Sequence, residues 1–156
     1  AQKQALLKIH QYKKILRATE DFELPRAPAI PFYKHVEQQA LAINAVNPEY
    51  RNTFAYAKHT IGRKDAGDLA LTLVTLAEID GESKYKVLLN DKVIGQFLNS
   101  ETNIDYQETY FRINNVSLKE GDILTVASMA VTNGKIPENG GTAFARGRWR
   151  ALVIQR

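Results

Sequence analysis

The stretch Lys84-Tyr85-Lys86-Val87-Leu88-Leu89-Asn90-Asp91-Lys92-Val93-Ile94-Gly95-Gln96-Phe97-Leu98 decides the fold class of this chain. Both halves are rich in apolar, β-branched and aromatic residues, which favour strands. Asn90 and Asp91 between them tolerate a positive φ and therefore predict a tight hairpin turn. The stretch predicts two antiparallel strands, over residues 84–90 and 92–98.

The same pattern recurs along the chain beyond Pro31. The run at residues 68–79 is apolar on both of its faces, which predicts a strand in the centre of a sheet. About eight strands separated by turns, with no long helix between them, predict an all-β fold, an antiparallel two-sheet β-sandwich of the jelly-roll type. The predicted strands cover residues 40–46, 52–61, 68–79, 84–90, 92–98, 108–116, 122–131 and 143–155.

The first 17 residues differ from the rest of the chain. Apolar residues at helical spacing over residues 4–17 predict a short amphipathic helix, and an interdomain linker is an equally good interpretation. Three prolines between residues 25 and 31 favour an extended segment after it. The predicted organisation is an N-terminal helical or linker segment, residues 1–17, followed by a β-sandwich binding domain, residues 18–156.

Composition excludes several classes of protein. The 156 residues, 44% hydrophobic and 24% charged, suit one globular domain. The absence of cysteine excludes disulfides, thiolate metal sites and cysteine nucleophiles. No apolar run approaches the roughly 20 residues of a membrane helix, so we expect no membrane association and expect any leader to have been removed. The net charge of +4 favours association with a polyanion but does not identify one.

The last quarter of the chain carries the strongest binding signal. A Gly/Asn/Pro-rich loop at residues 132–141 leads into a segment, residues 143–150, that places the only tryptophan among three arginines. A flat apolar face beside fixed, forked donors suits a polyhydroxylated or anionic ligand. We therefore expect Arg146 and Arg148 to donate to ligand and Trp149 to stack on it.

Alternation along a strand complicates this interpretation. Arg146 and Arg148 would point to one face and Trp149 to the other. Either Gly147 marks a bulge that turns these residues towards one another, or Trp149 belongs to the core and the arginines alone face ligand. For the arginines, a solvated or salt-bridged position is a further alternative.

Three loops supply the other candidates. Asn133 and Lys135 are expected to act as loop donors and Glu82 as an acceptor, although Asp-Gly before Glu82 is also an ordinary turn. Tyr106 ends a long polar loop and is a candidate stacking residue. Four further tyrosines are candidates to help in binding, although Tyr56 and Tyr110 fall within predicted strands and are expected to pack; the four are Tyr33, Tyr50, Tyr56 and Tyr110.

Several of these stretches together resemble a known group of modules; they are Asp80-Gly81-Glu82-Ser83, the strand 85–90, the loop 133–138 and Ala145-Arg146-Gly147-Arg148-Trp149. Over roughly residues 15–155 the chain resembles the non-catalytic carbohydrate-binding modules appended to secreted bacterial polysaccharide-degrading enzymes. The resemblance implies a polysaccharide ligand, a covalently attached catalytic domain, no catalytic residues, and a secreted, periplasmic or cell-surface location. The net positive charge of the chain mildly favours an acidic or sulfated glycan.

The resemblance also raises the question of a structural calcium. Many jelly-roll modules open with an acidic pair that helps to hold this ion, and Ala18-Thr19-Glu20-Asp21-Phe22 is similar to that opening. Thr19 stands where an acid would be expected, and the last strand, residues 152–156, ends without an aspartate. The sequence therefore leaves a structural calcium open and predicts no other cofactor.

Two other function classes remain as alternatives. One is a protein-interaction or adhesion β-sandwich, and the other is a small polysaccharide lyase or hydrolase that uses Tyr, Lys and Arg side chains. The three histidines lack metal-ligand spacing, and no GxSxG motif occurs. Aromatic and basic residues are not interleaved as nucleic-acid surfaces require, so no nucleic-acid partner is expected.

Overall fold

A computed structural model describes residue 9 and residues 11–156, and within them the chain is almost entirely β. Three short 3₁₀ helices occur in these residues, at Val36–Gln38, Pro48–Tyr50 and Arg63–Asp65. The strands are β1 (Lys14–Arg17), β2 (Tyr33–His35), β3 (Ala40–Ala42), β4 (Phe54–Thr60), β5 (Gly67–Ala77), β6 (Lys84–Leu89), β7 (Lys92–Leu98), β8 (Gln107–Leu118), β9 (Ile123–Met129), β10 (Pro137–Glu138), β11 (Gly141–Thr142) and β12 (Trp149–Gln155).

The long strands form two antiparallel sheets that face each other. Sheet A has the order β2-β3-β12-β5-β8, with β1 also paired to β12, and sheet B has the order β4-β9-β6-β7. Strand β3 pairs with the start of β12 at Trp149, and β1 pairs with its later part from Ala151 to Ile154. The predicted two-sheet β-sandwich is therefore confirmed, with the small β10-β11 hairpin outside both sheets.

The core lies between the two sheets. Strands β5 and β12 contribute Leu71, Leu73 and Leu152 from sheet A, and Tyr85 and Val126 face them from sheet B. All five side chains are buried, so each removes its apolar surface from water. Strand β5 is buried over most of its length between β12 and β8, which confirms its predicted central place.

All eight predicted strands exist, but their bounds differ from the prediction. The turn at Asn90 and Asp91 is confirmed, with φ of 49° and 67°. The last strand begins at Trp149 rather than residue 143, because Gly147 adopts a φ of 60° that interrupts extended backbone before it. The sequence did not predict the short strands β1, β2, β10 and β11.

The N-terminal prediction is corrected in part. Residues 14–17, the end of the predicted helix, form strand β1 and pair with β12 from Lys14 opposite Ile154 to Arg17 opposite Ala151. This pairing satisfies backbone groups that a final helical turn would have left exposed. Residues 1–8 and 10, where the rest of that helix was predicted, lie outside the described residues. The domain boundary after residue 17 stays a prediction. It assigns β1 to the N-terminal segment, residues 1–17.

Among the described residues, no helix has both the length and the apolar character that crossing a membrane requires.

Candidate functional site

Three loops converge at one end of the sandwich, which we call the loop end. They are the β5–β6 loop (78–83), the β7–β8 loop (99–106) and the β9–β12 loop (130–148). The Ile79 N–H donates to Asp105 Oδ1 at 2.9 Å, and the Asn133 N–H donates to the Asp80 carbonyl at 3.0 Å. Residues far apart in sequence are thereby held together on a rigid sheet scaffold, the usual arrangement of a binding site.

The loop end contains an open cleft of about 630 Å³, which we call the loop cleft. It brings together three of the residues predicted from sequence, Glu82, Asn133 and Lys135. The β7–β8 loop and the first residue of β8 supply further, mostly polar, lining residues, which are Glu101, Thr102, Asn103, Ile104 and Gln107. The loop cleft therefore offers both donors and acceptors.

Within the loop cleft, Asn133 has a structural role. Its Nδ2 donates to the Ile79 carbonyl at 2.9 Å and to Glu82 Oε2 at 3.1 Å, and its Oδ1 accepts from the Lys135 N–H at 3.0 Å. Lys135 Nζ lies 3.3 Å from Glu101 Oε1, and both side chains are largely exposed. An exposed ion pair of this kind contributes little to stability, so Lys135 can exchange its partner for a ligand at small cost.

An arginine–aromatic cluster lies beside the loop cleft and consists of Tyr33, His35, Tyr106, Arg146 and Arg148. Arg146 Nη1 donates to the Tyr33 hydroxyl at 3.0 Å, and Arg148 Nε donates to His35 Nδ1 at 3.0 Å. The Arg148 guanidinium carbon lies 4.8 Å from the centroid of the Tyr106 ring. The rings of His35 and Tyr106 meet edge to face at 5.3 Å. The cluster fixes two arginines by rigid aromatic partners.

Arg148 is not available to a ligand, which corrects the sequence prediction. It is only 7% exposed, and its Nη1 forms an ion pair with Glu78, a carboxylate that is itself buried. Burial raises the pKa of Glu78 to about 7, against the opposing effect of Arg148. A buried guanidinium needs such partners because leaving it unpaired would be strongly destabilising. Arg148 therefore holds strands together, as in the salt-bridged alternative left open by the sequence.

Trp149 is also wrongly predicted as a ligand platform, because its side chain is 0% exposed. It meets Phe22 edge to face at 4.9 Å and Phe32 at 6.2 Å between ring centroids. An irregularity in β12 between Trp149 and Ala151 puts this large ring on the same inner side as Leu152, where burying its area gives the greatest gain. The core alternative is therefore the correct one for Trp149.

Arg146 remains accessible among the predicted arginines. It lines a groove of about 530 Å³ whose other walls include Arg51, Phe144 and the β10–β11 hairpin. The Arg146 N–H donates to Glu78 Oε2 at 3.1 Å, which fixes the backbone at the base of the cluster. Tyr106 is half-buried beside it, with one face of its ring against Arg148. These two residues extend the site from the loop cleft towards the groove.

The loop end is richer in carboxylates than in cations. Glu82 and Glu101 line the loop cleft, and Asp80, Asp105 and Glu138 lie close enough to influence one another's charge. Burial raises the pKa of Asp80, and the neighbouring Asp105 raises it further. Carboxylates accept hydrogen bonds from sugar hydroxyls and repel anionic groups. This end of the molecule gives no support to the expected preference for an acidic or sulfated ligand.

The described residues show no preformed acidic cluster for the calcium ion that the sequence left open. Within residue 9 and residues 11–156, no group of three His, Asp or Glu side chains is placed to hold a metal ion. In the acidic opening, Asp21 Oδ2 accepts the Arg17 N–H at 2.7 Å, so this carboxylate closes a turn. A hard divalent cation would need several oxygen ligands together.

Sequence reasoning missed two members of the loop end, namely His35 and Glu78. His35 belongs to β2, a strand of three residues whose period-two signal is too short to read. Glu78 meets Arg148 across 70 positions of sequence. Only the fold brings these residues to the site.

Comparisons with known proteins agree with the architecture. A scan against protein-family models and a search of curated proteins each find no match. The fold is similar to that of a family 36 carbohydrate-binding module of a multidomain xylanase from the hindgut metagenome of Trinervitermes trinervoides, at 16% identity and a TM-score of 0.53 over 92% of this chain and 96% of that one.

Two further solved modules have the same TM-score of 0.53. One is a family 36 carbohydrate-binding module in complex with calcium and xylotriose, 11% identical over 91% of this chain and 99% of that chain. The other is a family 35 module from Clostridium thermocellum, 12% identical over 92% and 99%. The chain therefore has the jelly-roll fold of carbohydrate-binding modules, and the resemblance seen in the sequence is confirmed at the level of fold.

Proposed function

We propose that this protein is a non-catalytic carbohydrate-binding module whose loop end binds polysaccharide. The observation that carries the proposal is the loop cleft, where Glu82, Asn133 and Lys135 combine acceptors with donors in one open space of about 630 Å³. A sugar ring presents hydroxyls that require both kinds of partner. The fold shared with modules that include a xylotriose complex supports the same assignment.

The chemistry of the loop end favours a neutral polysaccharide. Glu82 and Glu101 would accept from sugar hydroxyls, Lys135 and Arg146 would donate to ring or hydroxyl oxygens, and the outer part of Tyr106 would contact the ring. An acidic or sulfated chain would meet the carboxylates around it. We therefore do not assign the expected preference for anionic glycans to the loop end.

The first residue of β1 and the last residue of β12 support a tethering role. Strand β12 starts at the loop end with Trp149 and runs to Gln155, and Lys14 of β1 pairs with Ile154. Lys14 and Gln155 therefore lie at the end of the sandwich opposite the loop end. A catalytic domain attached through either end would leave the loop end open to the polymer and would act at a raised local substrate concentration. Such an attachment implies the secreted or cell-surface location expected from the sequence.

Affinity electrophoresis through gels containing neutral xylan, galactomannan or β-glucan tests this function. Changing both Lys135 and Arg146 to Ala should weaken retardation by roughly tenfold, since each hydrogen bond contributes about 0.5–1.5 kcal/mol. The matched control changes Arg63 and Lys64 to Ala, because both are exposed beside the β4–β5 connection at the other end of sheet A. The control should migrate like the unchanged protein.

Three results would contradict the proposal. Release of sugar from the gel polymer by the isolated chain would show catalysis and favour the lyase or hydrolase alternative. Equal weakening by the control pair would show a non-specific charge effect. Unretarded migration in every polysaccharide would favour the protein-interaction alternative.

A further inference from the structure

The outer face of sheet B carries a separate set of exposed aromatic and basic side chains. We call it the lysine face, and its defining residues are Phe54, Tyr56, Lys58, Lys84 and Lys86. The strand register shows that they share one side, because directly paired residues of adjacent strands point to the same face. Phe54 and Lys84 both pair with Met129, and Tyr56 and Lys86 both pair with Ala127.

Successive rows of paired residues cross the four strands of this face. They are about 7 Å apart, the spacing of alternate residues on a strand. The rows are Phe54-Met129-Lys84-Leu98, Tyr56-Ala127-Lys86-Gln96 and Lys58-Thr125-Leu88-Val93. On β9 in the middle, Ala127 is fully buried and Thr125 is 2% exposed. The taller side chains of β4 and β6 therefore cover the small side chains of β9.

Two cavities on the lysine face, on either side of this covered part of β9, leave room for a chain-like ligand. The first, of about 450 Å³, is lined by residues that include Phe54, Lys84 and Leu98. The second, of about 400 Å³, is lined by residues that include Tyr56 and Lys58. The row containing Tyr56 and Lys86 lies between them. A polymer could therefore cross several rows.

The aromatic residues of this face are not packed as the sequence predicted. Tyr56 was expected to be buried in its strand, but it is 41% exposed. Its ring centroid lies 6.4 Å from that of Phe54, and Lys86 Nζ lies 4.1 Å from the Phe54 centroid. One ring is thus covered by an ammonium group, and the exposed ring of Tyr56 is left for a ligand.

The charge of the lysine face is predominantly positive. Its outward rows contain Lys58, Lys84 and Lys86, and one carboxylate, Glu23, extends the Lys58 row through a backbone bridge to Lys58. None of these lysines forms a salt bridge with any residue between 11 and 156. Glu23 and Asp91 line the second cavity together with Lys58 and Arg26, and no acid lines the first cavity. The face is thus complementary to a polyanion, in contrast to the carboxylate-rich loop end.

We propose that the lysine face is a second binding surface, and that it takes an anionic polysaccharide such as a polyuronate. Carboxylates along the polymer pair with Lys58, Lys84 and Lys86, while an apolar sugar face stacks on Tyr56. The exposed ring favours a sugar polymer over an acidic peptide, because a sugar ring has a broad C–H surface beside its charge. This surface is additional to the neutral site proposed at the loop end.

The test uses affinity electrophoresis with polygalacturonate, highly methyl-esterified pectin and neutral xylan. We expect polygalacturonate to retard the protein, with the retardation lost at high salt because exposed charges are screened. Changing Lys84 and Lys86 to Gln should weaken this binding by about tenfold, since each exposed ion pair contributes up to about 1 kcal/mol. Changing Lys64 and Lys119 to Gln removes the same charge from exposed positions outside the face and should have little effect.

A Tyr56→Ser variant tests the stacking contact without altering charge. It should weaken polygalacturonate binding by roughly fivefold, within the range expected of an aromatic contact. Thermal denaturation of each variant checks that the fold is intact. Retardation by methyl-esterified pectin should be slight, because esterification removes the carboxylate charge from the same backbone.

Each contrary result separates this proposal from the loop-end function. Polygalacturonate binding that is lost only in the Lys135/Arg146 variant would overturn the lysine face and leave the loop end standing. If the protein did not bind xylan but the Lys84/Lys86 substitutions still weakened polygalacturonate binding, the loop-end function would be overturned and the lysine face would stand. The sugar-specific surface would be overturned if polygalacturonate did not retard the protein. It would also be overturned if the Tyr56→Ser variant bound polygalacturonate as well as the original protein does and poly-L-glutamate bound equally tightly.

Discussion

Arg148 and Trp149 are neighbours in sequence with opposite surroundings. The guanidinium of Arg148 lies on the outer side of sheet A in a buried ion pair, and the indole of Trp149 lies in the core. Adjacent residues of extended backbone point to opposite faces, so both placements follow from one geometric rule. Residue types that suit a ligand site are therefore the same types that suit a core and a buried ion pair.

Replacing Trp149 tests its structural role. Trp149→Ala should lower the free energy of unfolding by about 3–5 kcal/mol, because a large cavity is left among Phe22, Phe32 and the sheet residues. Trp149→Phe should cost less, since part of the ring contact is kept. Urea denaturation followed by far-ultraviolet circular dichroism measures both, as the variants lack the only tryptophan. Unchanged stability combined with lost xylan binding would instead restore Trp149 as the ligand platform.

Sequence reasoning can place single residues in loops where the local pattern carries the information. The loop residues Asn133 and Lys135 were singled out because a Gly/Asn-rich segment cannot form a strand interior. Burial of Arg148 could not be predicted, because its partner Glu78 and its neighbour His35 are 70 and 113 positions away. A long-range contact leaves no periodic signal in a single sequence.

Among the structural elements, the packing of two loops depends on Gly81. A Cβ at this position would lie 2.3 Å from the Val131 carbonyl oxygen, which is backbone and cannot rotate aside. The β5–β6 and β9–β12 loops are therefore in contact at a point where only glycine fits. The loop cleft takes its shape from this contact, since Glu82 and Asn133 flank it.

We predict that Gly81→Ala separates these loops. It should destabilise the protein by about 1–3 kcal/mol, the usual cost of overpacking, and weaken xylan binding more than tenfold. Gly62→Ala is the matched control, because a Cβ there meets no atom within 4 Å. Calorimetry and affinity electrophoresis measure the two effects. If Gly81→Ala bound and melted like Gly62→Ala, the contact would have no role in shaping the loop cleft.

Apart from the three-residue β3, the strands that the sequence predicted are those whose pattern is long enough to read. β5 and β8 have 11 and 12 residues, whereas the unpredicted β1 and β2 have 4 and 3. A short strand forms because a neighbouring strand offers unpaired backbone groups at its edge. Its formation therefore depends on the partner strand more than on its own residues. Exposure of Tyr56 has a similar origin, since the sequence shows which strand it is on but not which side of that strand is covered.

For the whole molecule, Glu78 links stability to pH. Burial raises its pKa from the ordinary value of 4.5 to about 7, Arg148 lowers it in part, and Asp80 raises it further. The folded protein therefore keeps this proton up to about pH 7, while the unfolded chain loses it near pH 4.5. Between these values the folded state binds more protons, so stability should fall as pH rises through this window.

Glu78→Gln isolates this effect because the amide resembles the protonated carboxyl and does not titrate. The difference in unfolding free energy between the original protein and this variant should decrease by up to about 3 kcal/mol from pH 4.5 to 7. His35 acts in the opposite direction, because burial and Arg148 lower its pKa, but it is present in both proteins. Urea denaturation at half-unit pH steps measures the difference. A constant difference would show that Glu78 is ionised throughout.

Two arginines at the start of β12, Arg148 just before the strand and Arg150 within it, have a consequence for strand registration during folding. Arg148 pairs with Glu78, and Arg150 pairs with Glu108 on β8, with 2.5 Å between Nη1 and Oε2. A slide of β12 by two residues along β5 would restore backbone hydrogen bonds in a new register. The slide would, however, leave one buried carboxylate without its arginine, at a cost of about 3–5 kcal/mol. The two ion pairs thus favour the native register of β12 over the shifted one.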